Sequence, residues 1–255
     1  MHAMSEKTYD RIAHYYDGLR DGLGASANTS QCVQALSALV RTGTALELGI
    51  GTGRIALPLA ASGATVCGID NSQGMLDRLR AKPGAERVRL VCDNFVDVPV
   101  AGLFDLIYSV FSFGYLLEQS EQVRCFAAVR ERLSAAGVFV IQTLVPPADM
   151  LQVGGKVSSA LEVPPLDESG ETPVVLVCSS ADPVRQLVQQ RIVLMTESGT
   201  RIFNDRYRYV WPSELDLMAR LAGLELRERW SDWTQQPIGA RARSQISIYR
   251  RAGSA

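Results

Sequence analysis

Residues 45–60 read ALELGIGTGRIALPLA. Apolar residues carry the chain to Glu47 and Leu48, three glycines (Gly49, Gly51, Gly53) alternate through a tight loop, and a helical stretch follows from Arg54. Glycine accepts left-handed backbone angles and lets a ligand approach the main chain, while the free amides at a helix start favour an anionic group. Strand, glycine turn and helix in that order predict a nucleotide-type binding loop at the carboxyl end of a first parallel strand. The glycines alone leave two readings open. Gly51, Gly53 and Ala56 also satisfy the G-x-G-x-x-A dinucleotide fingerprint.

Outward from that loop, short apolar runs alternate with longer helical stretches. The runs are Thr44 to Leu48, Thr65 to Ile69, Val88 to Val91, Phe104 to Tyr108 and Val138 to Leu144, with helices expected near 54–61, 72–80 and 121–133. Continuous apolar strands separated by helices predict an α/β fold, a Rossmann-like doubly wound and mostly parallel sheet. Two helices are expected before it, at 6–16 and 26–40, the second with Val33, Leu36, Leu39 and Val40 on one face and Gly43 at its stop. Four prolines and the pair Gly154-Gly155, with Pro173 just beyond, mark 146–172 as a loop-rich insert. Antiparallel strands follow at 174–178, 187–195 and 200–210, then a helix at 212–222 and a strand at 246–249. The expected organisation is therefore N-terminal helices over the site (1–43), a binding core (44–145), an antiparallel β cap inserted at 146–210, and a C-terminal helix and strands (211–255) that complete the core sheet.

Two further acids bear on the loop. Asp70 closes the second strand in VCGIDNS, 17 residues after Gly53, where a carboxylate can accept both hydroxyls of a ribose; Asp93 follows the third strand in LVCDNFVD. The combination E-x-G-x-G-x-G, GID-x-S-x-x-ML and an acid after strand three resembles the class I S-adenosylmethionine (SAM)-dependent methyltransferases over residues 8–145. The opening YDRIAHYYDGL and the phrase FSFGYLL resemble the small-molecule branch, which includes nucleotide-sugar and glycine N-methyltransferase-like enzymes.

That resemblance implies SAM as cofactor, S-adenosylhomocysteine (SAH) as product and a small-molecule acceptor at nitrogen, oxygen or carbon. It implies that Glu47, Gly49, Gly51, Thr52, Gly53 and Arg54 form the loop beside the methionine moiety and that Asp70 holds the ribose. Asn71 and Met75 would pack around the adenine, with Asp93 near its amino group and Asn94 and Phe95 along its edge. The segment after strand four, including Ser109, Phe111 and Tyr115, would run beneath the sulfonium, although Phe111, Phe113 and Tyr115 serve equally well as core. Tyr9 and Tyr16 would cover the SAM carboxylate. His14 and Tyr16 are the candidate catalytic residues, with Tyr15 and Asp17 beside them, histidine being the side-chain type most often used as a general base.

The departures narrow the chemistry. Ser109-Val110-Phe111-Ser112 stands where many DNA and protein amino-methyltransferases carry (D/N)PPY, and the only histidines are His2 and His14, so no metal site of the catechol type is expected. A nicotinamide oxidoreductase, the rival reading, lacks a Tyr-x-x-x-Lys pair after strand four, and a SAM-binding protein without catalysis stays open. A net charge of -1 from 26 basic and 27 acidic side chains gives no field for gathering polyanions, so RYRYVW at 206–211 reads as a two-faced strand and no nucleic-acid partner is expected. Apolar runs fall far short of the roughly 20 residues of a membrane span. The N-terminus lacks a secretory pattern, and five scattered cysteines without a CxxC pair fit a reducing cytoplasm. Three lysines and abundant alanine fit a GC-rich bacterial genome. The cap leaves a homodimer open.

Overall fold

The computed structural model describes residues 9–22, 28–40, 43–151, 155–166 and 170–253. Seven strands form the main sheet: β1 (Thr44–Leu48), β2 (Thr65–Asp70), β3 (Val88–Cys92), β4 (Phe104–Val110), β5 (Leu133–Leu144), β10 (Leu224–Trp230) and β11 (Ser244–Arg251), in the order β10-β11-β5-β4-β1-β2-β3. Strands β5 to β3 along that order pair in parallel, and β11 and β10 add antiparallel at one edge. This is the doubly wound α/β fold. β1 lies between β2 and β4, so the chain leaves it toward opposite sides, and a crevice must open at the carboxyl ends of β1 and β4.

Alternation along the strands feeds two cores. Leu106 and Tyr108 face one layer, with Leu36, Ile55 and Leu59 from helices that precede and follow β1. Ile107 faces the other, with Phe126 and Val129 from the helix Gln119–Arg132 and Leu215 from Pro212–Leu221. Pro212 starts the latter helix and Gly223, at φ +74, ends it. Among the described residues no helix is long and apolar enough to cross a membrane.

A second, antiparallel sheet has the order β6-β7-β8-β9, from Lys156–Glu162, Val174–Asp182, Leu187–Thr196 and Gly199–Arg208. β6 lies where sequence pattern predicts only loop. A register shift between Val157 and Ser159 breaks its alternation, so no two-residue period survives to be read. β10 likewise escapes the pattern: Glu225, Arg227, Glu228 and Arg229 crowd it with charge, which suits an edge strand that must not pair further.

The N-terminal segment is sandwiched between the cap sheet and the core. Ile12, Ala13 and Leu19 join Val175, Val177, Leu194 and Phe203 of the cap, and Met75 of the core, in one buried cluster. The helix expected at 6–16 is interrupted; residues 9–12 are helical, 13–15 form a turn, and a new helix runs Tyr16–Gly22. Residues seven apart in an unbroken helix lie about 10.5 Å apart along its axis, whereas the rings of Tyr9 and Tyr16 are 6.0 Å apart. The turn gathers both tyrosines on one spot. Residues 6–8 of the expected helix lie outside the described residues.

The end of β9 is tied to the core by a buried arginine. Arg208 donates from Nη1 to Gln122 (2.6 Å) and from Nη2 to Gln186 (2.9 Å) and Glu214 (2.6 Å). Burial opposes ionisation of Glu214, but hydrogen bonds from Gln186, Arg208 and Gln119 and the Arg208 charge outweigh it and hold the carboxyl below its ordinary 4.5. Arg208→Ala strands this carboxylate, and urea denaturation at pH 7 should show a loss of about 3 kcal/mol. Because the folded pKa of Glu214 is depressed, its contribution is present above pH 4.5 and lost as pH falls through the folded value. The gap between wild type and variant should therefore narrow on acidification.

Candidate active site

The chain leaves β1 through three left-handed glycines, Gly49 (φ +77), Gly51 (φ +54) and Gly53 (φ +82). At Gly49 the angle and the space agree: a Cβ there would lie 2.4 Å from Cβ of Ser112 in the turn after β4. The amides of Gly49 and Ile50 donate to the Ile69 carbonyl (2.8 and 3.0 Å), which clamps the loop to the end of β2. Asp70 completes the clamp, accepting from the amides of Gly51 (2.7 Å) and Ser72 (3.0 Å). Burial pushes its carboxyl up from the ordinary value, and the two amides pull it back. Each carboxylate oxygen retains accepting capacity.

The loop roofs one end of an open cleft of about 930 Å³, solvent at its mouth included. Its walls combine the loop and strand ends (Gly49, Gly51, Asp70, Asn71, Met75), the turn after β3 (Asn94, Phe95), the turn after β4 (Val110, Phe111, Ser112, Tyr115, Leu116) and the N-terminal segment (Tyr9, Tyr16, Arg20). Ser72 caps the helix Gln73–Arg80 by accepting from the Met75 amide (3.2 Å), and Asn94 caps the turn that sets Phe95 by accepting from Val96 (2.9 Å).

Phe111 holds a left-handed φ of +60, an outlier for a bulky residue, and leaves its ring 41% exposed at the cleft. Such strain costs on the order of 1–3 kcal/mol and concentrates at functional sites. Phe113, two residues on, is fully buried in the core. The two phenylalanines of FSFGY thus divide between wall and core.

Comparison with known proteins gives this cleft its family. Residues 45–137 match the family described as "Methyltransferase domain". The chain is 36% identical to the CcbJ methyltransferase from Streptomyces caelestis, with a TM-score of 0.79 over 89% of this chain and 90% of that one. It belongs to the SAM-dependent methyltransferases. A Streptomyces protein named cypemycin N-terminal methyltransferase is 28% identical over 82% of this chain and 83% of its own. The SAM-bound structure of CalS10, an amino pentose methyltransferase from Micromonospora echinaspora, shares the fold at 19% identity, with a TM-score of 0.69 over 92% of this chain and 96% of that one.

In this methyltransferase the cleft brings together Tyr9, Tyr16, Gly49, Gly51, Asp70, Asn71, Met75, Asn94, Phe95, Phe111 and Tyr115 of the residues expected from sequence. The others stand outside its lining. Glu47 is buried under the loop, accepting from the Tyr108 hydroxyl (2.9 Å); burial pushes its carboxyl up to about 8, against that bond and the Arg54 charge. Arg54 donates to Thr29 (2.8 Å), Gly53 packs on Leu79, and Ser109 is buried 2.7 Å from Ser112. Asp93 is exposed and accepts from the Asn94 amide (2.7 Å). His14 is exposed with its ring on Tyr15, because it sits in the turn 13–15 whose buried side is taken by Ala13.

Arg20 is a cleft residue that the sequence reading missed, although its spacing four residues after Tyr16 on a helix was a usable signal. Its Nη1 donates to the Tyr16 hydroxyl at 3.0 Å. Two aspartates hold this segment in place. Asp10 accepts from Ser72 Oγ (2.6 Å) and the Gly74 amide (2.9 Å), and Asp17 accepts from Thr52 Oγ1 (2.5 Å) and pairs with Lys82 (2.6 Å), which also donates to the Thr52 carbonyl. Asp17 and Lys82 are each about one-third exposed, so the two clasps together are worth on the order of 1–2 kcal/mol. Hydrogen exchange of residues 9–22 should quicken by about tenfold in the double variant Asp10→Ala, Asp17→Ala. Unchanged exchange would mean that packing on the cap alone holds the segment.

Proposed function

We propose that this protein transfers the methyl group of SAM to an amine of a small natural product. The observation that carries the reading is the cleft itself, where the left-handed glycine loop and Asp70 meet a wall of aromatic side chains at the sheet's switch point. SAM, when bound, supplies a methyl group on a positively charged sulfur. The residues present fit such a group: a Cβ at Gly51 would meet open space, which leaves the backbone free to face a ligand, and Asp70 has acceptor capacity for ribose hydroxyls. Met75, Asn94 and Phe95 offer an apolar slot with polar edges for adenine, and Arg20 beside Tyr16 offers a cation for the amino-acid carboxylate.

Methyl transfer is an in-line displacement, so the enzyme's task is alignment and exclusion of water. Phe111, Tyr115, Tyr9 and Tyr16, which line the cleft, perform it. The names of the cypemycin and amino pentose enzymes support nitrogen as acceptor atom. Free cysteines at positions 32, 67, 92, 125 and 178 support a reducing, cytoplasmic setting, and the Streptomyces relatives support a bacterial one.

Calorimetry should show SAH binding to the wild type and no response to NAD. Asp70→Ala should weaken SAH by about 100-fold or more, since two charge-assisted hydrogen bonds are lost. NAD binding without SAH binding would overturn the reading.

A further inference from the structure

Three residues from distant parts of the chain meet at the cap side of the cleft: Tyr9 of the N-terminal segment, Tyr115 of the turn after β4 and Asp205 of β9. Tyr115 donates its hydroxyl to Asp205 Oδ2 at 3.0 Å, and Tyr9 donates to the Tyr115 oxygen and lies 3.4 Å from the same carboxylate oxygen. The two rings meet edge to face at 5.2 Å and both line the cleft, while Asp205 stands behind them.

A phenolic hydroxyl has one proton to give. Tyr115 gives its proton to the carboxylate and Tyr9 gives its own to Tyr115, so both donors point inward. What the cleft sees is hydroxyl oxygens with their lone pairs, backed by a negative charge. Burial pushes both tyrosines well above their ordinary value and raises the Asp205 carboxyl, a rise that hydrogen bonds from Tyr115, the Arg206 amide and Tyr9 oppose by favouring the carboxylate.

We propose that Asp205, acting through Tyr9 and Tyr115, is the positioning residue by which the enzyme selects and orients an amine acceptor. The inference rests on the methyltransferase reading of the same cleft and adds to it a residue from the cap. An amine suits this surface in two ways. Its N–H groups donate to the tyrosine oxygens, which leaves the nitrogen lone pair facing away from them. As the free-base nitrogen forms the N–C bond, the C–S bond pair returns to sulfur, the nitrogen becomes an ammonium that keeps its protons, and no base is required. The positive charge develops against the Asp205 carboxylate, so the contact strengthens along the reaction. A hydroxyl acceptor has a single proton and must shed it to complete the transfer. An anionic acceptor is repelled.

The test uses the full chain saturated with SAH and two probe series, amino sugars and short peptides with free amino termini, each beside its hydroxyl analogue. Calorimetry should show the amines binding in preference to the hydroxyl analogues. Asp205→Asn leaves an oxygen that can still accept from Tyr115 but removes the charge, and it should weaken amine binding by about 10- to 100-fold with SAH affinity unchanged. Tyr115→Phe, which keeps the carboxylate and breaks the relay, should do the same. With saturating SAM, D205N should lower kcat for an amine as well as raise KM. Equal binding of amines and hydroxyl analogues, or full amine affinity in D205N, would overturn the role of Asp205 alone. Failure of the wild type to bind SAH would instead overturn the cofactor reading and this inference with it.

Discussion

The exit of the chain from β1 constrains everything around it. At Gly49 a left-handed angle coincides with a contact to Ser112 that leaves no room for a side chain, so β1 and the turn after β4 are pressed together at the point where a ligand backbone approach is needed. Ser112 in turn donates to the Leu48 carbonyl and sits against Ser109, which fixes the turn that carries Phe111 and Tyr115. The strained φ of Phe111 follows from this, because its amide is held on the Gln142 carbonyl at 3.0 Å while its neighbour is pinned beneath the loop. The glycine loop and the aromatic wall are therefore one construction. A change at Gly49 is felt at both.

Glu47 belongs to the same construction without touching the cleft. A carboxyl buried against Tyr108 and pushed up to about 8 costs stability as pH rises, since the unfolded chain ionises it at its ordinary 4.5. Its partners, Tyr108 on β4 and the Ala56 amide at the start of the following helix, span both ends of the glycine loop. Its acceptor oxygens meet a buried hydroxyl and an amide of the helix's first turn, which the helix itself leaves without a carbonyl.

Much of this was legible in sequence because the deciding features are local. Continuous apolar runs give parallel strands, positive φ demands glycine, and an acid at a strand end declares itself by position; Asp70 was found this way, Asn71, Met75, Asn94 and Phe95 through the family resemblance, and all five line the cleft. What was not legible depends on chain segments far apart. Asp205 lies in FNDRYR, where nothing local distinguishes it from a solvated strand acid, and only the folding of the cap onto Tyr9 and Tyr115 gives it a role. His14 was attractive for its chemistry alone, and the turn at 13–15 faces it outward. β6 was hidden by a bulge, and β10 by the charges of an edge.

The N-terminal segment has two unlike interfaces. Toward the core it is held largely by the carboxylates of Asp10 and Asp17, contacts that are partly exposed and weakened by salt. Toward the cap it packs Ile12, Ala13, Leu19 and Tyr15 against Val175, Val177, Leu194 and Phe203, an apolar surface that each side chain stabilises by roughly 1.5–3 kcal/mol when fully buried. The weaker seam is the one beside the glycine loop. Tyr9 crosses that seam, hydrogen-bonded to Tyr115 of the core as well as beside Asp205 of the cap, so the acceptor surface is complete only while the segment is seated on both sides.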